Sequence, residues 1–347
     1  GEEGVMELTV RIKKRLHRFT LNADIETKSS IALLGASGSG KSMTLKCIAG
    51  IEKPDSGVII LNGRTLYDSE KGIDLPPQKR KIGYLFQNYA LFPNMTVRQN
   101  IEVAAKEKNN VDKLISDFYL NSIANKYPDE ISGGQQQRTA LARIIASKPE
   151  LILLDEPFSA IDSYLKWKLE MTVSDTIKNF GGLSIMVTHD RNEAYRNCGG
   201  ICIINDGRTE KILNTKEFME CPKTVGAARI SGCKNIYRFE KTQKENVIFV
   251  PSLNIYLKTD EIIRENCGYV GLRAHYFRFD GGENEIVCET ERIIEDVFST
   301  IIMLKPVNCK LDSELIRIET DKKKAAELIS NKLIKIYIEP KNVLLLE

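Results

Sequence analysis

The sequence predicts an α/β domain followed by a smaller all-β domain. Short apolar segments alternate with helical segments up to about residue 225, which is typical of a parallel sheet with connecting helices. A glycine-rich loop joins one of these strands to a helix, and short segments of alternating polarity dominate from residue 233 onward. We therefore expect domains at residues 6–225 and 233–347, with a helical subdomain at about 88–147.

The elements of the first domain follow from its hydrophobic periodicity. Two alternating segments, MELTVRI and FTLNADI, predict an antiparallel ribbon. The apolar run SIALLG (30–35) predicts a buried strand, and a helix follows from about Lys41 to Gly50. Further elements are strands at VIILNG, KIGYLFQ (81–87), LILLD (151–155) and LSIMVTH (183–189), and a hairpin at ICIINDGRTE (201–210).

The C-terminal segment differs from the first domain in its hydrophobic pattern. Proline and glycine at residues 220–232 mark the change, and little periodicity is left there. The segments that follow predict a small barrel interrupted by one helix, DKKKAAELIS; they are NVIFV, NIYLK, YVGLRAHYFRF, TIIMLKPV, LIRIE, LIKIYIE and VLLLE.

The composition narrows the class of protein. The chain has 347 residues, of which 42% are hydrophobic, enough for a sizeable core. The net charge is only +3 and no basic stripe carries interleaved aromatics, so we expect no nucleic-acid partner. The eight cysteines form no CxxC pair, which favours reduced thiols. Without a signal peptide or an apolar run near roughly 18 residues, we expect a soluble chain that can dock on a membrane protein.

The segment GASGSGKS at 35–42 fits the pattern G-x-x-x-x-G-K-S between a predicted strand and a predicted helix. Glycines let backbone N–H groups converge on phosphate oxygens, Lys41 adds charge at the β and γ phosphates, and the Ser42 hydroxyl suits Mg²⁺. A chance glycine/serine turn is the alternative, and the strand–helix context disfavours it. The predicted phosphate-binding residues are Gly35, Ala36, Ser37, Gly38, Ser39, Gly40, Lys41, Ser42 and Met43.

The segment LILLDEP (151–157) supplies two acids at the end of a buried strand, where ligands of parallel sheets bind. Asp155 is placed to support Mg²⁺, and Glu156 to orient or deprotonate an attacking water. A solvated acidic pair is the alternative reading. Together with the phosphate loop, the pair predicts hydrolysis of a nucleoside triphosphate. The N-K-x-D motif of Ras-like GTPases is absent at the predicted strand ends.

A second candidate phosphate cradle is ISGGQQQR at 131–138. Ser132 is a good N-cap, and the free N–H groups of the following helix turn can hold an anion. A plain helix cap followed by a turn is the alternative reading.

The order of GASGSGKS, Gln87, ISGGQ, LILLDEP, SAID and His189 resembles the ATPase subunit of an ABC transporter, over residues 6–225. The resemblance implies that Gln87 lies near Mg²⁺ and the attacking water, and that His189 contacts the γ phosphate. It also implies that Asp162 belongs to a loop at a dimer interface, and that the signature residues Ser132, Gly133, Gly134 and Gln135 bind ATP of a partner subunit.

Each of these residues has a simpler reading. Gln87 could be a polar residue at an exposed strand end, and Asp162 a helix cap. His189 could be a hydrogen-bonded residue at the sheet edge. The common register of the motifs favours the functional reading over these separate coincidences.

The resemblance also implies partners and cofactors: ATP and Mg²⁺, a homodimer with ATP between its subunits, separate membrane permease subunits, and an extracytoplasmic solute-binding protein acting indirectly. The chain would then sit at the cytoplasmic face of the membrane. An ABC ATPase acting on ribosomes or DNA is the alternative from another class. It is disfavoured by a single GKS, a single SGGQ and the lack of sustained heptads.

Three stretches, at 67–93, 230–239 and 270–279, resemble molybdate or tungstate importer ATPases, which carry a C-terminal OB-like domain of the TOBE type. Sulfate, sugar and polyamine importers are the runners-up. The family likeness also raises the hypothesis that the tail binds an oxyanion through backbone N–H groups at Ser231–Asn235, with Lys234, Ser299 and Thr300. For Lys234 a solvated surface charge is the simpler reading. For the adenine ring the sequence offers Phe19, whose alternating strand favours a core position instead.

Overall fold

A computed structural model describes residues 6–158, 163–309 and 314–347. The chain divides into two compact units, Gly1–Lys216 and Glu217–Glu347, and the division falls within one helix. The helices are α1 (Lys41–Ala49), α2 (Pro77–Arg80), α3 (Val97–Glu102), α4 (Val111–Asp117), α5 (Gly133–Ala146), α6 (Ser163–Phe180), α7 (Arg191–Asn197), α8 (Thr215–Glu220), α9 (Val225–Ile230) and α10 (Lys322–Ile329).

The first unit is built on one mixed sheet. Its strands are β1 (Leu8–Arg15), β2 (Thr20–Thr27), β3 (Ile31–Leu34), β4 (Ser56–Leu61), β5 (Arg64–Asp68), β6 (Ile73–Asp74), β7 (Ile82–Leu85), β8 (Leu151–Asp155), β9 (Leu183–Val187), β10 (Gly200–Asn205), β11 (Arg208–Thr209) and β12 (Leu213–Asn214). Neighbouring strands run in the order β6-β5-β4-β1-β2-β11-β10-β3-β9-β8-β7, with β12 beside β10. The α/β class and the strand assignments of the first domain are confirmed.

The antiparallel part of this sheet forms because its segments alternate. Leu8, Val10 and Ile12 of β1 are buried, and their pairing with β2 runs along the whole strand, from Leu8↔Thr27 to Arg15↔Thr20. Because successive side chains of a strand point to opposite faces, this alternation buries one face and leaves the other to solvent. The predicted ribbon is therefore present.

The parallel part positions the functional residues. β10, β3, β9, β8 and β7 run parallel; β3, β8 and β9 are buried on both faces, β10 is buried except at Asn205, and the edge strand β7 is buried at alternate residues. In register, Val187 of β9 pairs with both Leu33 of β3 and Asp155 of β8. The carboxyl ends of these strands consequently meet at one edge of the sheet, where the following loops begin.

Three helices and their loops occupy the region between β7 and β8. α3 begins with a capping box at Thr96, and the fully buried Asn100 amide donates to the carbonyls of Phe92, Met95 and Thr96. The Arg143 guanidinium of α5 donates to the carbonyls of Tyr89 and Ala90, residues that both have positive φ. These long-range contacts hold a loop that has no regular structure of its own.

The second unit is all-β apart from its helices. Its strands are β13 (Asn235–Arg238), β14 (Glu240–Lys241), β15 (Val247–Val250), β16 (Ile255–Lys258), β17 (Tyr269–Leu272), β18 (Ile286–Glu295), β19 (Ser299–Pro306), β20 (Ile316–Asp321), β21 (Ile334–Ile336) and β22 (Val343–Leu346). They form three small sheets, β13-β17-β22, β14-β15-β16 and β20-β19-β18-β21. Tyr237, Ile248 and Ile302, one from each sheet, share one apolar core. This arrangement is consistent with the predicted small barrel, and α10 matches the predicted helix.

Within the described residues, no helix combines the length and apolar character that crossing a bilayer requires.

Arg80 is a buried charge whose guanidinium donates hydrogen bonds to the last carbonyls of α1. Its side chain is 0% exposed, and its Nη1 atom donates to the carbonyls of Cys47 and Ile48 at 2.9 Å each. Nη2 lies 3.1 Å from a carboxylate oxygen of Asp74. A Cβ on Gly50 would lie 2.5 Å from the Arg80 Nε atom, so only glycine fits there. Burial lowers the pKa of Arg80, and Asp74 opposes that effect.

We expect Arg80→Met to lower the free energy of unfolding of the first unit by about 3 kcal/mol, because it leaves buried carbonyls without donors. Trp167, the single tryptophan, lies in the same unit, so its fluorescence in urea follows the relevant transition. Lys79→Met, at the exposed neighbouring position, is the matched control and should change stability by less than about 0.5 kcal/mol. Equal midpoints for the two variants would contradict this role of Arg80.

Candidate functional site

The loop from Gly35 to Gly40 joins β3 to α1, as the motif predicts. A Cβ on Gly35 would lie 2.2 Å from the carbonyl oxygen of Ile204, so the backbone can pass there only as glycine. Gly40 has φ 109° and caps α1 without any side-chain hydrogen bond. The first N–H groups of α1 therefore face the loop without a side-chain cap, which is an arrangement that can receive an anion.

Lys41 is the first residue of α1, and its side chain reaches back to the start of this loop. Its Nζ atom donates to the carbonyls of Gly35 and Ala36 at 2.8 Å each, and the residue is 6% exposed. Burial lowers the pKa of Lys41, while the nearby Glu156 and Asp155 carboxylates oppose that effect. An ammonium held by two carbonyls can exchange one of them for a phosphate oxygen at small cost, because both partners are acceptors.

Ser39 adds a donor that the chain itself does not use. The residue is 8% exposed, and its Oγ atom has no hydrogen-bond partner among the described residues. A buried hydroxyl without a partner costs free energy, which a bound phosphate oxygen would remove.

Asp155 and Ser42 are in contact, as the two motifs predict. The Ser42 hydroxyl donates to Asp155 Oδ1 at 2.8 Å, and the Tyr84 hydroxyl donates to Asp155 Oδ2 at 2.9 Å. Asp155 is 8% exposed, so both carboxylate oxygens are fixed in a largely buried place. Burial raises the pKa of Tyr84, and the Asp155 charge raises it further, so the phenol stays a donor.

Tyr84 was not identified from the sequence. It lies in β7, opposite Leu153 in the register with β8, which places it beside the strand that carries Asp155. The available signal was a hydroxyl-bearing aromatic within a strand otherwise made of Ile, Gly and Leu. The sequence does not show that β7 pairs with β8, and without that pairing nothing indicates that the Tyr84 hydroxyl lies near Asp155.

Glu156 has a strained backbone. Its φ is 47°, an unusual value for a residue with a side chain, and its N–H donates to the Val187 carbonyl at 3.0 Å. Such conformations cost about 1–3 kcal/mol and cluster at functional sites. The Gln87 amide Nε2 lies 3.5 Å from Glu156 Oε2, so the two predicted catalytic residues are brought together.

A cavity of about 250 Å³ lies beside the loop and is lined by Leu16, Ser37, Gly38, Gly40, Lys41, Ser42, Met43 and Glu156. Gln87 and Asp155 are not among the lining residues, but they contact Glu156 and Ser42, which are. Phe19 does not line it. A Cβ on Gly207 would lie 2.4 Å from the Phe19 ring, which packs against the core of the first unit. The core reading of Phe19 is thus favoured, and Leu16 takes the place beside the cavity.

Other predicted residues stand apart from this cavity. Ser132 caps α5 through a capping box with Gln135, and neither Ser132 nor Gly133, Gly134 or Gln135 lines the cavity. His189 follows β9 and is exposed. Asp162 and the rest of the segment 159–162 lie outside the described residues. The single chain therefore unites the loop, Lys41, Ser42, Gln87, Asp155 and Glu156, but not the signature residues.

Gln137 is a second residue that sequence reasoning missed. It is fully buried, and its Nε2 atom donates to the Pro157 carbonyl at 2.5 Å. This bond ties α5 directly to the residue after Glu156. The sequence has three consecutive glutamines, and which of them faces the protein interior depends on the residue at which α5 begins. Sequence reasoning therefore could not single out Gln137.

The predicted anion site in the second unit does not form from the expected donors. The N–H groups of Ser231, Gly232 and Cys233 all donate to carbonyls of α9 or of the residues around it. The Asn235 amide donates to two carbonyls, and the Ser299 hydroxyl donates to Glu319. The end of α9 also presents carbonyl oxygens, which repel an anion. The N–H groups of Ser231, Gly232 and Cys233 are therefore not free for an oxyanion, and the hypothesis of an oxyanion in this unit stays a prediction that would need other donors.

Comparisons with known proteins agree with the motif order. The profile of the family described as ABC transporter matches residues 19–159. The chain is 37% identical to a spermidine/putrescine import ATP-binding protein of Nitratidesulfovibrio vulgaris, over 62% of this chain and 60% of that protein. It is 32% identical to a sulfate/thiosulfate import ATP-binding protein of Halalkalibacterium halodurans, over 94% of this chain and 92% of that protein.

A solved dimeric structure of a bacterial ABC transporter cassette also matches, with a TM-score of 0.50 and 26% identity over 60% of this chain and 98% of that chain. The chain spans about 60% of the length of the first curated relatives that it matches, and nearly the whole of the sulfate relative. The length and identity of these matches show that the chain belongs to the ABC transporter family, among the ATP-binding proteins of importers.

Proposed function

We propose that this chain binds and hydrolyses ATP as the energising subunit of an importer, at the cytoplasmic face of the membrane. The observation that carries the proposal is the meeting of Lys41, Ser42, Gln87, Asp155 and Glu156 at one edge of the parallel sheet. Ligands of parallel sheets bind at this edge.

The loop residues would hold the phosphates of ATP. Lys41, with the N–H groups of residues 35–42, places positive charge and donors around the β and γ phosphates, and the unpartnered Ser39 hydroxyl adds another donor. Lys41 then gives up a loop carbonyl for a phosphate oxygen. This positions the γ phosphate next to Glu156, which lines the same cavity.

Ser42 and Asp155 fit Mg²⁺ as a cofactor. A hydroxyl and a carboxylate are the hard oxygen donors that Mg²⁺ prefers, and this ion usually keeps waters and substrate phosphates as its other ligands. When bound, Mg²⁺ would neutralise phosphate charge. Tyr84 would keep Asp155 oriented toward it.

Glu156 would deprotonate the attacking water, and Gln87 would orient it. Its oxygen forms a bond to the γ phosphorus, the bond from that phosphorus to the bridging oxygen breaks, and the water proton passes to the Glu156 carboxylate. The Gln87 amide, 3.5 Å from that carboxylate, helps to orient the water. His189 would contact the γ phosphate from the neighbouring strand end.

Two chains would complete each site. Ser132–Gln135 do not line the cavity of their own chain, although Ser132 begins a helix whose first N–H groups suit an anion. We propose that they bind the γ phosphate held by a second copy, with Asp162 at the same interface. Closure of the homodimer then depends on ATP, and hydrolysis lets it open.

The solute and the partners are inferred less directly. The relatives described above are named for polyamine and for sulfate, so the cassette alone does not select a solute. We propose molybdate or tungstate, because the stretches at 67–93, 230–239 and 270–279 resemble importers of those anions, with sulfate or a polyamine as the alternative. Separate permease subunits and a solute-binding protein would complete the importer. Residues 233–347 would be a TOBE-type regulatory domain following an ATPase domain at 6–225.

We expect Glu156→Gln to retain ATP binding and to lower kcat at least about hundredfold, since it removes the general base. With ATP it should accumulate as a dimer on a sizing column, and adding Ser132→Arg should return it to a monomer. Glu70→Gln, an exposed acid outside the cavity, is the control and should behave as wild type. Turnover of Glu156→Gln at the wild-type rate would refute the assigned base.

Tyr84→Phe removes one of the two hydrogen bonds that fix Asp155. We expect the Mg²⁺ concentration for half-maximal binding of ATP to rise about tenfold, as for other partners of metal ligands. Binding of a fluorescent ATP analogue across an Mg²⁺ titration measures this. Tyr119→Phe, at a tyrosine that is 72% exposed, should leave the titration unchanged. The same midpoint in both variants would show that Tyr84 does not orient Asp155.

For the solute, the chain reconstituted with its permease and solute-binding protein should hydrolyse ATP faster when molybdate or tungstate is supplied outside. Stimulation by sulfate or a polyamine alone would assign the runner-up. An ATPase rate that none of these solutes changes would count against all of these assignments.

A further inference from the structure

Lys166 joins α6 to two acids that follow His189 in the chain. It lies in the first turn of α6, and its Nζ atom is 2.6 Å from Glu193 Oε1 and 3.5 Å from Asp190 Oδ2. Asp190 directly follows His189, and Glu193 lies in the first turn of α7. One ammonium thus contacts two acids on the C-terminal side of the imidazole.

Glu193 connects Lys166 to Thr188, the residue before His189. Glu193 is 4% exposed, and its second carboxylate oxygen accepts a hydrogen bond from the Thr188 hydroxyl. The Thr188 oxygen in turn accepts from the Asp190 N–H at 3.0 Å. The bonds form a closed path around His189, from Lys166 through Glu193 and Thr188 to Asp190 and back to Lys166.

The imidazole itself has no such support. His189 is exposed, and no hydrogen bond of its ring to another described residue is present. Its direction is therefore set by the backbone of residues 188–190, and that backbone is held by the path through Lys166. Such indirect support matters, because a misplacement of about 1 Å at a reacting group can cost about a hundredfold in rate.

Lys166 also connects this segment to the start of α6. The helix begins at Ser163, immediately after the segment 159–162 that the sequence assigns to a dimer interface. A displacement of the first turn of α6 would be transmitted by a single side chain to the residues on both sides of His189. Without Lys166, the buried Glu193 carboxylate loses its direct ion pair, which favours its rotation away from Thr188.

We propose that Lys166 is a positioning residue, which holds His189 toward the γ phosphate and couples its placement to α6. The inference rests on the proposed ATPase function, because it takes His189 as a group that touches the phosphate.

The same two helices offer a matched control. One turn further along, the Arg196 guanidinium donates to the two carboxylate oxygens of Glu170 at 2.6 and 2.8 Å, and Glu170 is also buried. This pair ties α6 to α7 and makes no hydrogen bond to Thr188 or Asp190, although the Arg196 charge also acts on Asp190 and Glu193 from a distance. Arg196→Met should therefore cost stability as Lys166→Met does, without displacing His189.

The kinetic test compares these variants in the full chain. Lys166→Met should lower kcat about tenfold with little change in KM, Lys166→Arg should restore most of the rate, and Arg196→Met should retain it. In a His189→Ala background, Lys166→Met should cause no further loss, since the group it positions is gone. An equal loss in Arg196→Met, or a full further loss in the double variant, would overturn the proposal.

A second readout does not need catalysis. The chain has 3 histidines, so the NMR signal of the His189 ring can be assigned from its loss in His189→Ala. Lys166→Met, or Lys166→Gln if the first variant does not fold, should shift or broaden that signal, while the His17 and His275 signals and the Arg196→Met spectrum stay as in wild type. An unchanged His189 signal would refute the positioning role. A wild-type chain without ATPase activity would refute the proposed function instead, and the His189 signal would still test Lys166.

Discussion

The buried carboxylate of Asp155 is the interaction on which the arrangement of the site depends. A negative charge that is 8% exposed needs partners, and it obtains them from Ser42 at the start of α1 and from Tyr84 in β7. The two bonds join the phosphate-binding loop, the strand that carries the acids and the edge strand of the parallel sheet. Moving any one of these elements would take at least one donor away from a buried charge, so the three are held together.

Strain at the next residue follows from the same constraint. Asp155 is held by its two hydrogen bonds and the Glu156 N–H by the Val187 carbonyl, and the chain turns between these fixed points with a positive φ at Glu156. The Gln137 bond to Pro157 supports the far side of that turn. Long-range contacts therefore offset a local cost of about 1–3 kcal/mol, and the result is a carboxylate aimed into the cavity.

Sequence reasoning succeeded where the chemistry is local. The ribbon, the loop with α1, the strand ending at Asp155 and the Asp206–Gly207 turn all follow from spacing or periodicity, and the structure contains each of them. It missed Tyr84 and Gln137, whose partners lie 71 and 20 residues away. It offered the N–H groups of Ser231, Gly232 and Cys233 as anion donors, and residue type could not show that these groups are already bonded to carbonyls of α9.

The start of α5, which is capped by Ser132, is ordered by hydrogen bonds that cost little to exchange for an external ligand. Gln135 N–H donates to the Ser132 hydroxyl at 3.4 Å, a long and therefore weak bond, whereas the Ser132 N–H is held by the Gln135 side chain at 2.9 Å. The second bond fixes the start of α5, and the first loses little when an anion takes its place. An arriving phosphate therefore meets an ordered helix terminus without a large cost of breaking the existing cap. This suits the proposed contact with ATP of a second copy, which would form and dissolve once in each cycle of ATP binding and hydrolysis.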